Sequence, residues 1–567
     1  MSRLEDRRGE GRELDRKAAT LERGLEWAAR DETYLTPERV ERYFASGAWS
    51  CDTLFDRFET WVERQPEKPM VIDQAGNATT YRQFHAMAYA FGASLVELGF
   101  LPGDTVVIQL PNCVELMAAT VGAARVGVVP TYANMGYRSH ELRHLMTVFS
   151  PRGYLCVPEM RGFDFIASAR ELQAEFPHLE RIITIRAPEI EGTLRFDGLV
   201  ERGSGQELPE KPLATDLFVV MPTSGTTGRP KGVMHTHASL LCAIDRYVHD
   251  TSWGSSDHWV VVTPMTHFLG LALPFLFSGL AYGGSCTLTD GWDAAKALEL
   301  MERDHVTHIM AAPPMFYGIL REPSIATRDL SSLRHVMYGG APCPVEVLKQ
   351  LAAAFPKAQL EAWYGSSEML ATSYTRHGDP MDVISTTVGK IAFGFEAKVV
   401  DEEGSEVPHG TPGELWGRGE TLAMGYFRDP EGIRARYLGD WFRTGDVMTL
   451  GIDGNYTYTA RADDIINRGG FKVDPRELEE VLFRHPKVAQ AAVVGFADPA
   501  LGHRVLVHIV ARDQAHPPAL EELRDFLAQQ GVAKVKWPEG LVLHQQLPMT
   551  PSGKVLKYEL RKIAATA

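Results

Sequence analysis

The spacing of apolar residues along this chain switches between two periods, and each switch marks an element. From Thr80, TYRQFHAMAYAFGASLVELGF opens on a Thr-x-x-Gln capping box and carries apolar residues at helical spacing, which predicts a helix. LPGD turns the chain into TVVIQL (105–110), a β-branched strand. A second helix, NCVELMAATVGAARVG (112–127), leads into the strand VVPTY (128–132). Strand, helix, strand with short connections predicts a parallel sheet covered by helices. The rhythm returns after residue 211: DLFVVMPTSG, a helix from about 238, the strand HWVVVTPM, a helix from about 269, and SCTLTD.

The pattern changes near residue 385. AKVVDEEGSEVPHGTPGELWGRG (397–419) and GNYTYTAR (454–461) are short strands broken by Gly, Pro and Asp, which predicts a small antiparallel barrel or sheet over about 385–459. After residue 465 come a helix (PRELEEVLFRH), the strands AQAAVVGF and RVLVHIVAR, a helix (ALEELRDFLAQQ) and a final strand. These form a separate α+β unit, so the chain divides into 1–462 and 463–567, joined without a linker. The first forty residues, mixed in charge, read as a solvated, partly helical arm.

Length and charge narrow the class. A chain of 567 residues exceeds one core and fits about three or four packed units. Its 44% hydrophobic and 23% charged content is that of an ordinary globular protein. A formal net charge of −15 argues against nucleic acid as a partner. The cysteines, Cys51, Cys113, Cys156, Cys242, Cys286 and Cys343, form no CxxC pair, which fits reduced thiols in a cytoplasmic enzyme better than disulfides or zinc. The N-terminus lacks the apolar stretch of a signal peptide. The most apolar run, FLGLALPFLFSGLAY (268–282), is interrupted by Gly, Pro and Ser and falls short of the roughly 20 residues of a membrane span, so it reads as a buried helix near a pocket.

One stretch concentrates anion-binding chemistry. TSGTTGRPKGVMHTH (223–237) places hydroxyls and bare glycine amides beside Arg229 and Lys231. Gly225, Gly228, Lys231 and Gly232 give GxxGxxKG, which is not the Walker spacing, yet glycines allow close backbone approach and Lys231 supplies a point charge. By turn chemistry alone the stretch could equally be a hairpin. His235 and His237 form an HxH pair, but no third ligand is apparent nearby to complete a zinc site.

Five further blocks follow in order: YGGAP (338–342), WYGSSEM (363–369), WFRTGD (441–446), ARADDIINRGGFKVDPRELE (460–479) and LPMTPSGKVLKYELR (547–561). With the Gly-rich stretch they resemble the acyl-adenylate-forming superfamily, which includes acyl-CoA and aryl-CoA ligases, adenylation domains and firefly luciferase. The resemblance covers nearly the whole chain from about residue 50 and is closest to CoA ligases for cyclic or aromatic carboxylates, such as cyclohexanecarboxylate. It implies an α/β fold: a large N-terminal domain of stacked, largely parallel sheets with a small β-barrel, and a mobile α+β C-terminal lid. It also implies ATP, Mg²⁺ and CoA, and formation of acyl-AMP followed by thioester formation.

Site roles are carried by the same resemblance. Thr223, Ser224, Gly225, Thr226, Thr227, Gly228 and Lys231 would cradle the triphosphate. Gly340, Ala341 and Pro342 would line the adenine slot, with Tyr364 packed on the base and Gly365 and Ser366 beside it. Ser367, where the family more often has Thr, would hold the α-phosphate, and Glu368 with Thr226 would bind Mg²⁺. Asp446 would take the ribose hydroxyls, Arg461 would brace ribose and phosphate, and Lys554 would reach over the reacting groups. Asp463 matches the hinge, and Gly469, Gly470 and Lys472 match the entry to the second-step site. Ala460 departs from the usual Gly, and Asn467 from a frequent Lys; the latter is shared with aryl-acid ligases. Taken singly, Glu368, Asp446 and Lys554 would be surface charges.

The acyl pocket follows from the same match. His267 would lie near the reacting carboxylate, with a satisfied core histidine as the alternative reading. Phe268 replaces the Asp or Asn of amino-acid and dihydroxybenzoate activators, and with Leu269, Met315, Phe316, Tyr338 and Met369 it gives a mostly apolar wall, each also readable as core packing. The expected substrate is an uncharged ring or medium-chain acid, and the expected partners are that acid, CoA and at most a second copy of the chain. Alternatives are an acyl-AMP ligase loading a phosphopantetheine carrier protein, or a non-catalytic acyl or AMP sensor.

Overall fold

Thr80 starts its helix as the sequence predicts: its Oγ1 accepts from Gln83 N at 3.2 Å, and Gln83 Oε1 accepts from Thr80 N at 2.9 Å, opening Tyr81–Glu97. The structure, a computed structural model, describes residues 2–223, 231–251, 253–341, 343–461, 464–468, 471–498, 501–550 and 555–564. The second βα rhythm is divided between two sheets, its first strand joining the sheet of the first rhythm. Thr105–Gln109, Val129–Tyr132 and Leu217–Thr223 lie in an eight-stranded sheet with Lys231–Thr236 and Gly425–Tyr426 at one edge. His258–Val261 and Ser285–Leu288 instead join a nine-stranded sheet with His308–Ala311, His335–Gly339 and Gln359–Ser366, all parallel. Helices cover both, and one continuous apolar core runs between them.

The run 268–282 is buried, as its composition requires. It is a short α-helix, Phe268–Leu271, continued by a π-helix, Ala272–Ala281. π-Helical backbone is rare and is frequent at functional sites.

Over 385–459 the pairings form an open antiparallel sheet, Glu396–Val400, Pro412–Arg418, Trp441–Leu450 and Tyr437–Leu438, with Tyr456–Arg461 also on the long strand. Beyond residue 464, Ile466–Arg468, Phe471–Val473, Val488–Asp498, Gly502–Ala511 and Gly540–His544 build a separate mixed sheet with its own core. No described helix is long and apolar enough to cross a membrane.

The N-terminal segment corrects the sequence reading. It is not a solvated arm. Trp27, Tyr34, Leu35, Val40 and Tyr43 are buried in the main core. Tyr34 stacks on Tyr437 with centroids 4.7 Å apart, its N–H donates to Met424 O at 3.1 Å, and Thr33 bridges Gly425. Arg39 Nε donates to Asp440 Oδ1 at 2.5 Å, and Trp49 Nε1 to Glu420 O at 2.8 Å. Thr36 caps the amphipathic helix Pro37–Ala45, whose Val40 and Tyr43 face the core at helical spacing, while Trp27, Tyr34 and Leu35 are isolated apolar residues among charges that no period registers.

Tyr34→Ala should therefore destabilise the protein by about 3 kcal/mol, the cost of truncating a buried aromatic, while Tyr34→Phe keeps the stack and most of the stability. Denaturant unfolding decides this. Equal, negligible effects of both substitutions would restore the picture of a loose arm.

Candidate active site

The Gly-rich stretch is held by a hairpin. Leu217–Thr223 and Lys231–Thr236 run antiparallel, with Thr223 opposite Lys231. The strand before the loop does not feed a helix, so this is not a P-loop frame. Residues 224–230, which include Ser224, Gly225, Thr226, Thr227 and Gly228, lie outside the described residues. Lys231 emerges at the loop's end, 3.8 Å from Asp429 Oδ2 and over the Tyr426 ring at 4.7 Å from its centroid.

A second hairpin approaches from the other sheet. Gln359–Ser366 and Leu370–Tyr374 are antiparallel, with Ser366 opposite Leu370, and their turn presents Ser367 and Glu368. Leu370 sits at φ 58°, a left-handed conformation that is unfavourable for leucine and marks a tightly held turn. Gly365 is dictated by contact: a Cβ there would lie 1.7 Å from Leu370 O. The Glu368 carboxylate accepts from Tyr426 Oη at 2.8 Å, and its carbonyl accepts from Ala423 N at 2.8 Å. Burial, then the Glu368 charge, hold the Tyr426 phenol well above its ordinary range, so it stays a donor. One buried ring thus touches both Lys231 and Glu368. Sequence reasoning missed Tyr426 and Asp429, because GYFRDP carries no spacing that points to a distant lysine or glutamate.

The strand that leads into this turn, Gln359–Ser366, also carries Tyr364, part of a buried charged set. Asp446 Oδ1 accepts from Arg461 Nη1 at 3.0 Å and Oδ2 from Tyr364 Oη at 2.6 Å; the two arginine and aspartate residues face each other across paired strands. Burial, then the Asp446 charge, hold the Tyr364 phenol well above its usual range. Gly340, at the end of His335–Gly339, has φ +76° and open space where a Cβ would stand; Ala341 follows it half-buried. Ser366 Oγ is buried with no hydrogen-bond partner among the described residues. A lysine and a carboxylate on one ring, a buried carboxylate–guanidinium–phenol set, bare glycine backbone and an orphaned hydroxyl suit a nucleotide polyphosphate. Mg²⁺ commonly takes one or two protein carboxylates and completes its shell with phosphate oxygens and water, so Glu368 fits it.

On the acyl side, His267 is exposed, and its Nδ1 accepts from Leu269 N at 3.3 Å, capping the apolar helix. Phe268 is buried and stacks on His235 with centroids 4.9 Å apart. Phe268 and Met369 belong to the main core cluster, with Leu269 packed against it. Met315, Phe316 and Tyr338 belong to a second cluster on the nine-stranded sheet, where Tyr338 Oη donates to Ile384 O at 2.5 Å. His235 and His237 are buried apart in function: His235 Nε2 lies 2.7 Å from Ser367 O, whereas His237 Nδ1 accepts from Leu54 N at 3.2 Å. No cluster of three or more metal-ligating side chains occurs among the described residues. Pro342, Asp463, Gly469, Gly470 and Lys554 lie outside the described residues, and Lys472 is placed only as backbone in Phe471–Val473.

The chain belongs to the AMP-binding enzyme family: the model of that family matches residues 58–427, and that of the AMP-binding enzyme C-terminal domain matches residues 477–554. It is 30% identical over 535 residues to the medium-chain fatty-acid–CoA ligase of Escherichia coli (strain K12), covering 93% of each chain. It is 32% identical over 527 residues to the 2,3-dihydroxybenzoate-AMP ligase of Bacillus subtilis (strain 168), covering 93% of this chain and 96% of that one. Among solved structures, a benzoate CoA ligase from Burkholderia xenovorans LB400 superposes with a TM-score of 0.78 at 25% identity, over 90% of this chain and all (100%) of the other.

Gly365→Ala tests the hairpin geometry. The clash with Leu370 O cannot be relieved by a side-chain rotation, so the turn must open, at a cost of roughly 2–3 kcal/mol. Unfolding should register that loss, and nucleotide binding should fall by at least about tenfold. Wild-type stability with wild-type nucleotide affinity would show the turn to be looser than described.

Proposed function

We propose that this chain is an ATP-dependent carboxylic acid–CoA ligase acting on an apolar cyclic, aromatic or medium-chain acid. The observation that carries the reading is the convergence of Lys231 and Glu368 on Tyr426, with the Asp446–Arg461–Tyr364 set joined to the same turn through the strand Gln359–Ser366. The likeness to a fatty-acid–CoA ligase and a benzoate CoA ligase supports the substrate class.

A carboxylate is a poor electrophile because its charge repels a thiolate. The chemistry answers this in two steps. A carboxylate oxygen attacks the α-phosphorus of ATP, the bond to the β-phosphate oxygen breaks, and pyrophosphate leaves with that electron pair. The CoA sulfur then attacks the acyl carbon, the thiol proton is lost, and AMP leaves with the bridging oxygen. The protein's task is to hold the reactants in line and to neutralise phosphate charge. Lys231 and the 223–228 loop hold the β,γ-phosphates, Ser367 the α-phosphate, and Lys554 bridges the α-phosphate and the carboxylate. Asp446 receives the ribose hydroxyls, with Arg461 keeping its carboxylate oriented. Tyr364 flanks the base beside Gly340, Ala341 and Pro342. Glu368 and Thr226 would hold Mg²⁺, which would supply charge neutralisation on the phosphates. The C-terminal unit turns about Asp463 between steps, bringing Gly469, Gly470 and Lys472 to the thiol's path. The likeness to an AMP ligase favours a second reading, transfer of the acyl group to a carrier protein; free CoA and a phosphopantetheinylated carrier, offered as competing acceptors, separate the two.

Lys554→Ala should lower acyl-AMP formation by two to three decades, about 3–4 kcal/mol of transition-state stabilisation, while thioester formation from supplied acyl-AMP and CoA stays near wild type. Equal loss in both half-reactions would remove Lys554 from the first step.

The apolar wall at Phe268 predicts the acid. A buried ammonium would go unpaired there, whereas each methylene removed from water gains roughly 0.8 kcal/mol. The kcat/KM series should run cyclohexanecarboxylate, benzoate or octanoate well ahead of acetate and phenylalanine. Phenylalanine or acetate in the lead would overturn the pocket around Phe268.

A further inference from the structure

His235 stands four residues after Lys231 on the strand Lys231–Thr236, so the two side chains share one face. It has no exposed surface. Its Nε2 lies 2.7 Å from the carbonyl oxygen of Ser367, and its ring lies flat on Phe268, 16° from parallel. A carbonyl can only accept, so Nε2 carries the proton and donates. Nδ1 is then an acceptor, and it has no partner among the described residues. Burial pushes the imidazole down to about 4, which keeps the neutral, Nε2-protonated ring in place across the working pH range.

This is a costly way to fill a core position. A leucine would pack under Phe268 without burying an unpaired nitrogen, which is unfavourable in itself. A zinc role is also excluded in this geometry, because His237 is turned toward Leu54 N and the Phe55 and Phe218 rings. The imidazole does two things that a leucine cannot combine. It ties the turn carrying Ser367 and Glu368 to the strand carrying Lys231, and it presents a flat face to the helix that opens at Phe268.

We propose that His235 is a positioning residue for adenylyl transfer from ATP to the acid: its Nε2–H fixes the Ser367 carbonyl, and with it the Ser367–Glu368 turn, while its ring face sets Phe268. One side chain thereby registers the phosphate-binding turn against the acyl wall. The proposal rests on the ligase reading above. It predicts a defect in the adenylation step more than in acid binding, because leucine still packs under Phe268 and so supports the acyl wall, whereas loss of the Nε2–H donor frees the turn and misaligns the α-phosphate.

The test compares His235→Leu, His235→Gln and His235→Asn in the full chain. Acid-dependent exchange of labelled pyrophosphate into ATP, with acid and MgATP each varied, reads the first step. Thioester formation from supplied acyl-AMP and CoA reads the second. His235→Leu should lower the exchange kcat about 30-fold or more with acid KM changed less than threefold, and should leave the second step within twofold of wild type. Gln places an N–H donor near the position of Nε2, so His235→Gln should recover much of that loss. Asn holds its amide one carbon too short and should not. If leucine prevents folding, the Gln and Asn variants, compared at matched melting temperature, carry the test alone. Gln no better than Asn, a leucine variant with wild-type exchange, or a loss shared equally by both half-reactions would each overturn the proposal. Absence of acid-dependent exchange in the wild-type protein across the acids tried would instead remove the ligase reading on which it stands.

Discussion

Two sheets carry the site, and they are held in register where the turn Ser366–Leu370 docks on the strand Lys231–Thr236. Met424 N donates to Met234 O at 2.9 Å, Ala423 N to Glu368 O at 2.8 Å, Tyr426 Oη to Glu368 Oε1 at 2.8 Å, and His235 to Ser367 O at 2.7 Å. Lys231 belongs to one sheet and Glu368 to the other. Without this seam neither would have a fixed position relative to its counterpart. The left-handed Leu370 and the crowded Gly365 show what the seam costs: a strained residue, and a position where no side chain fits.

The seam is supported from outside. The segment that contributes Ala423, Met424 and Tyr426 is itself covered by the N-terminal chain, through the Tyr34–Tyr437 stack, the Thr33–Gly425 bridge, Trp49 on Glu420 and Arg39 on Asp440. Burial of these aromatics against residues 419–440 extends the core to the back of the site. Residues 33–49 are therefore part of the scaffold that fixes Tyr426, and through it Lys231 and Glu368.

Much of this was legible in the sequence, and the reasons differ by feature. Helix Tyr81–Glu97 and the strands of the first βα units follow local rules, a capping box and short-range periodicity, which act within one element. The placement of those units in two sheets is a long-range choice that periodicity does not encode. Asp446, Arg461 and Tyr364 were named from an ordered set of motifs, and the structure adds their mutual contact. Tyr426 and the N-terminal anchors escaped because each is a lone aromatic whose partner lies far off in sequence. His235 was noticed for the wrong reason, as half of an HxH pair. Its partner is a backbone carbonyl 132 residues away, which a metal-spacing argument cannot find.

The ligase chemistry requires that a carboxylate oxygen become bonded to the α-phosphorus before a thiol takes the acyl group. The direct measurement uses an acid labelled with ¹⁸O in both carboxylate oxygens, together with ATP, Mg²⁺ and CoA, and follows the label by mass spectrometry. The bridging oxygen stays on phosphorus when the thiol attacks the acyl carbon. One ¹⁸O per turnover should therefore appear in AMP and none in pyrophosphate. Label in inorganic phosphate with formation of ADP, or thioester formed without label in AMP, would contradict it.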